Sequence, residues 1–168
     1  MNHYKSWSGL NNQLTDFLCD EFKDRISFFL TRYHKVHDAY GRAAILLDGK
    51  ELVCFSWIES YHRYNILYEA HEKNGVRWDY YTPEMIEKWN ENAIYSDWNF
   101  LSAATSFLEM PIDAALKSDD YVIRIFAILD RRVGKRTLKK IKEQGDYQTL
   151  PEWVKQFYEL RLSLLKMP

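Results

Sequence analysis

Near the start of the chain, apolar residues recur with a helical rhythm. Leu10, Leu14, Phe17, Leu18 and Phe22 stand at i, i+4, i+7, i+8 and i+12, one stripe of a helix. This predicts an N-terminal helix that lays one face on a sheet, with Ser8 near its start as a cap. From Ile26 the pattern changes to β-branched and aromatic residues, Ile26 to Tyr33, which reads as a strand. Two further apolar runs, Arg42 to Leu47 and Glu51 to Trp57, flank Asp48-Gly49. Asp-Gly between such runs signals a two-residue hairpin, because a type I′ turn needs positive φ at both central positions. Three short antiparallel strands are expected, with the polar segment Tyr33 to Tyr40 joining the first two.

Helical spacing then takes over. Tyr61, Tyr64, Asn65, Tyr68 and His71 recur before the stop signal Asn74-Gly75. Thr82-Pro83-Glu84 opens a helix carrying Ile86, Trp89, Ala93 and Ile94, and Asp97 restarts the stripe toward Leu101, Ala104 and Leu108. Pro111 opens a short helix. Ser118 or Asp119 is placed to cap a segment, Tyr121 to Leu129, that is apolar on nearly every side, the mark of a helix surrounded by protein. Leu150-Pro151-Glu152 starts a last helix, apolar at Trp153, Val154, Phe157, Leu160, Leu164 and Leu165. The fold class is α+β: an N-terminal helix, a small antiparallel sheet of about three strands, then a C-terminal half of five to six helices. No linker or repeat divides the chain, so 1–168 reads as a single domain, sheet-containing over about 1–57 and helical over about 58–168.

With 168 residues, 46% of them hydrophobic, the chain has enough apolar material for one real core. An aromatic content of 16% exceeds what a core alone needs, so some rings should reach the surface. Cys19 and Cys54 lie in apolar periodic segments without CxxC or Cys/His spacing, which favours reduced thiols in a cytoplasmic protein. No apolar run approaches bilayer length and the N-terminus has no signal-peptide core, so a soluble, cytoplasmic chain without a membrane partner is expected. Net charge is −1, but it is segregated. Residues 131–142 hold seven cations and no acid, and removing those seven from a chain of −1 leaves −8 on the rest.

Gly134 marks a bend or weak point in that basic run; treated as helix, the run forms a cationic half-cylinder: Arg131, Lys135, Lys139 and Lys142 on one face, Arg132, Arg136 and Lys140 beside it, with Val133, Thr137, Leu138 and Ile141 opposite. It suits phosphates or an acidic protein, or it is a solvated face whose cations favour the negative end of a helix dipole. Gly134-Lys135-Arg136-Thr137 is not a phosphate-binding P-loop, because no glycine stands five residues earlier and Arg follows the Lys. Arg32, His34, His37, Asp38 and Arg42 form the most enzyme-like cluster, with His34 and His37 as candidates for acid–base work. Their His-x-x-His spacing lacks a third ligand, so no metal and no cofactor are expected. Segment 57–81 gathers Tyr61, Tyr64, Tyr68 and Trp78 with Arg63 and Arg77, residue types that dominate interfaces but also cover sheets. Arg124, inside the apolar helix, is expected to pair with Asp120 one turn earlier, and Asp130 with Arg32 or Arg42 across the fold.

Thr31-Arg32-Tyr33-His34-Lys35, Gly41-Arg42-Ala43, Asp48-Gly49-Lys50-Glu51, the run Phe107 to Leu116 and above all Leu129 to Leu138 (LDRRVGKRTL) resemble a family of small uncharacterised bacterial proteins. The resemblance spans about residues 5–142. It implies a bacterial cytoplasmic protein and carries over no catalytic residue. Two functional readings follow from the residues. The first is a non-enzymatic interaction or regulatory module, of immunity type for example, binding a protein partner through the aromatic segment and the basic helix. The second is a nucleic-acid-binding or metal-independent RNA- or DNA-processing protein, in which Arg131, Arg132, Lys135 and Arg136 hold phosphate while His34 or His37 moves protons. The second requires segment 32–42 to lie beside 131–136.

Overall fold

A computed structural model describes residues 6–32, 41–56, 58–59 and 83–163. The chain opens with helix α1, Trp7–Phe17, capped by Ser6, whose hydroxyl accepts the Gly9 N–H at 3.2 Å. The cap is thus Ser6 rather than Ser8, since only a residue ahead of the first turn can reach its free amides. Leu10 and Leu14 are buried, and Leu18 and Phe22 continue the stripe beyond the helix. This face touches both the sheet and a later helix.

Three antiparallel strands follow in sequence order, β1 (Ile26–Arg32), β2 (Gly41–Leu47) and β3 (Lys50–Ser56). Asp48 and Gly49 have φ of 51° and 76°, and Leu47 faces Lys50, so Asp-Gly closes the expected two-residue hairpin. Arg25 clamps the turn, its Nη2 donating to Asp48 Oδ2 at 2.6 Å. Ile26, Phe28, Ala43, Ile45, Val53 and Phe55 form the buried inner face.

Six helices complete the described chain: α2 (Pro83–Glu91), α3 (Asp97–Glu109), α4 (Ile112–Ala115), α5 (Tyr121–Leu129), α6 (Lys135–Gln144) and α7 (Glu152–Ser163). The architecture is the expected α+β one. Ser96 and Asn99 form a reciprocal capping box on α3, which supplies Phe100, Leu101, Ala103, Ala104 and Phe107 to the core. Every residue from Val122 to Leu129 is buried, so α5 is enclosed as its all-round apolar pattern predicts. Phe126 on α5 is the junction of the layers. Its ring lies 5.7 Å from Phe28 of β1, 5.6 Å from Phe100 and 5.5 Å from Phe107 of α3.

Several local expectations are corrected. The cap of α5 is Asp120, whose Oδ1 accepts the amides of Val122 and Ile123 at 2.9 and 3.3 Å; Ser118 instead accepts the Asp120 amide. Freed from local pairing, the buried Arg124 donates to Asp146 Oδ2 at 2.7 Å and to the Ser118 carbonyl at 3.1 Å. Asp130 pairs with neither Arg32 nor Arg42 but with Arg132, two residues on, because α5 ends there and the chain turns back on itself. A single bridge, Leu18 to Asp130, ties this turn to the end of α1, with Cys19 N–H donating to Leu129 O at 3.0 Å and Arg131 N–H to Phe17 O at 2.8 Å. Of the two thiols Cys19 is buried and Cys54 half-buried, and both are free.

Candidate functional site

The basic run is not one helix. Asp130 and Gly134 are both extended, with ψ of 137° and 152°, so residues 130–134 form a turn and α6 starts only at Lys135. The continuous half-cylinder is corrected accordingly, since its two ends belong to different elements. Within the turn Asp130 is buried, and its carboxylate accepts both the Arg132 amide at 2.7 Å and the guanidinium, Nη2 to Oδ2 at 2.7 Å and Nε at 3.1 Å. The Arg132 guanidinium also lies 4.3 Å over the Phe17 ring. Arg132 therefore spends its charge inside the fold, clamping the end of α5 to α1. Lys135 pairs with Glu21 Oε1 at 3.1 Å and Lys142 with Glu159 at 2.5 Å.

Four cations remain. Arg131, Arg136, Lys139 and Lys140 are exposed and form no ion pair with a described residue. On α6, Arg136, Lys139 and Lys140 stand at i, i+3 and i+4 and share one face, opposite the buried Leu138. The helix dipole does not explain them. Arg131 follows the negative end of α5, but Arg136 sits in the first turn of α6, which holds no acid and has no side-chain cap at Gly134. Like charges so placed cost helix stability by about 0.2–0.5 kcal/mol per pair.

Beside this surface the buried Arg161 meets an exposed acid, Glu21. Arg161 donates from Nη2 to the Val133 carbonyl at 3.0 Å, with Nη1 3.7 Å from Glu21. Glu21 is held down at about 2 by its own amide, the Lys135 ammonium, the Cys19 thiol and the Arg161 charge. Burial pushes the Cys19 thiol up to about 11, which leaves it protonated and unreactive.

The enzyme-like cluster divides differently. His34, His37 and Asp38 lie outside the described residues, as do Tyr61, Tyr64, Tyr68 and Trp78. Arg32 and Arg42 are described, and each has a partner. Arg42 pairs with Glu51 across the sheet. Arg32 approaches the buried Asp97, Nε to Oδ2 at 3.6 Å, and its guanidinium stacks 4.0 Å over the exposed Trp98 ring. Neither Asp97 oxygen has a hydrogen-bond partner of good geometry among the described residues; burial raises its pKa, while the Arg32 charge and the nearby amides of Asp97 and Trp98 pull it back. Nothing in the sequence marks Asp97 as buried, since an acid at the start of a helix ordinarily faces water and complements the dipole. Gly41 is the one hint. A Cβ there would come within 2.9 Å of the Thr31 carbonyl and closer still to the Asp97 carboxylate.

The ends of segment 32–42 do not meet the basic turn. Arg32 and Gly41 lie at the first turn of α3, whereas Arg132 approaches Phe107 near its last turn, ten residues or roughly 15 Å along the axis.

Comparison with known sequences places this geometry in a family. The model of the SF0329 protein family matches residues 6–162. The chain belongs to the SF0329 protein family. The match takes in α1, the sheet, the basic turn and nearly all of α7, so the free cations and the buried Asp97 both lie in the family region. No curated protein and no solved structure matches this SF0329 family chain. Among its described residues no helix is long and apolar enough to cross a membrane.

Proposed function

We propose that this chain is a non-enzymatic cytoplasmic binding module, of regulatory or immunity type, that docks an acidic partner protein on Arg131, Arg136, Lys139 and Lys140. One observation carries the reading. In a run of seven cations, three are neutralised by acids of the same chain, and these four are left exposed with no acid paired to them among the described residues. Unpaired like charges on one helix face destabilise the free protein, and an acidic surface would relieve them while steering association. The partners of Arg32 and Arg42 support the non-enzymatic side, because they commit those guanidiniums to contacts within the fold.

A second reading, nucleic-acid binding, draws on the uncapped amide end of α6, which Arg131 and Arg136 flank in sequence and which suits a phosphate. One titration separates the two. The chain is mixed at low ionic strength with a polyglutamate peptide and, separately, with duplex DNA and single-stranded RNA. Preference for the peptide, abolished by reversing all four cations to Glu, is the expected result. Preference for the duplex, with log affinity falling against log salt at a slope of about −3.6 for four phosphate contacts, would transfer the function to nucleic acid. Binding to none of these, or binding that the reversal leaves intact, would reject both.

A further inference from the structure

On a different surface, α2 and the start of α7 flank an open groove of about 640 Å³ whose charge is opposite to that of α6. Its wall carries Glu87 and Glu91 on one side and Glu152 on the other, with Ile86, Leu150 and Tyr121 supplying apolar surface between them. No Lys or Arg is among the described residues that line it. Glu152 is satisfied by Lys155 at 2.9 Å, but Glu87 and Glu91 form no ion pair with a described residue. They stand at i and i+4 of the same helix, where two acids repel. Ile86, next to Glu87 in sequence, is 44% exposed.

The groove is braced from within. Trp153 Nε1 donates to the Asn90 carbonyl at 2.7 Å and the Tyr95 hydroxyl to Asn90 Oδ1 at 2.7 Å, so α2 is pinned to α7 through one residue. The Trp153 ring packs against Tyr121 at 6.1 Å and Tyr95 at 5.7 Å, which fixes the floor. A preformed cleft of this size, apolar below and charged at the rim, is the form of a ligand site rather than of a solvated face.

We infer that this groove binds a short basic segment of a partner protein, with an aliphatic side chain against Ile86 and Leu150 and a Lys or Arg at Glu87 and Glu91. Charge complementarity selects the occupant, since a cation relieves the repulsion between the two glutamates and an aliphatic group covers the exposed isoleucine. A second copy docking through α6 fits less well, because the outer face of α6 offers cations and no aliphatic residue.

The test uses the full chain and a capped, fluorescently tagged heptapeptide of alternating lysine and leucine, read by anisotropy. The peptide is expected to bind, and E87K/E91K is expected to weaken it roughly tenfold or more, with E87Q/E91Q intermediate. Both positions are exposed, so the variants keep the fold, which circular dichroism checks. Replacing leucine by serine in the peptide should also weaken binding, and R136E/K139E/K140E should not, which keeps this site separate from the cationic surface. Absence of binding, equal affinity for a glutamate–leucine counterpart, or indifference to E87K/E91K overturns the inference. So does sedimentation showing self-association that either set of reversals abolishes, since the occupant would then be a second copy.

Discussion

At the scale of single residues, Asp97 is the most constrained group described. Its folded pKa is raised above the ordinary value of 3.8, burial being the larger cause and Arg32 the opposing one. A carboxyl so shifted favours the fold while protonated and loses that contribution as pH rises from 3.8 through the folded value. Asp97→Asn, nearly the same shape but uncharged, should therefore raise the urea midpoint at pH 7, and the gain should vanish at pH 3. A gain independent of pH would mean that the charge is not the cause. Gly41 sits against this carboxylate, and Gly41→Ala should cost about 1–3 kcal/mol by overpacking, read from the same denaturation curves. Neither residue's role is legible in the sequence, because both depend on β2 meeting the first turn of α3, a contact between residues more than fifty apart.

The elements themselves were more legible, and the reason is that their signals are local. Asp48-Gly49 specifies its hairpin through backbone preference alone, and the all-round apolar pattern of Tyr121 to Leu129 specifies an enclosed helix wherever it lies. The caps lie one or two residues from where the pattern puts them, since Ser6 and Ser8, or Ser118 and Asp120, are equivalent acceptors until the chain path is fixed. The basic run departs from one continuous helix for a physical reason as well. Helical periodicity continued across Asp130 to Gly134, but the bidentate hold of Asp130 on Arg132 stops the helix there. The cap on α5 gives a direct test at this scale. Asp120→Ala should cost about 1 kcal/mol in chemical denaturation, whereas Asp120→Asn, an equally good cap, should not. Burial raises the Asp120 pKa, so the Asn variant loses nothing by lacking charge.

For the molecule as a whole, acid sensitivity follows from carboxylates held below their ordinary range. Glu21, lowered from 4.5 to about 2, contributes stability that is full above 4.5 and is lost as pH falls toward 2. Glu159 acts in the same sense through Lys142 and the Tyr147 hydroxyl. Glu21→Gln should flatten the decline of the urea midpoint between pH 5 and roughly 2.5; an unchanged slope would place acid lability elsewhere. Burial also pushes both thiols up to about 11, so Cys19 and Cys54 should react with a thiol reagent at pH 8 far more slowly in the native chain than in urea. The bridge from Leu18 to Asp130 has a consequence for how the chain comes into being. The apolar stripe of α1 rests on α3 and α5, through Trp7 on Phe100, Phe17 on Phe107 and the bridge itself. During synthesis that stripe leaves the ribosome more than a hundred residues before its partner Asp130, a wait on the order of ten seconds. A nascent chain arrested before residue 130 would lack that bridge and leave the end of its first helix untied, apolar surface open to chaperones and proteases. Birth, rather than maturity, is when this protein is most vulnerable.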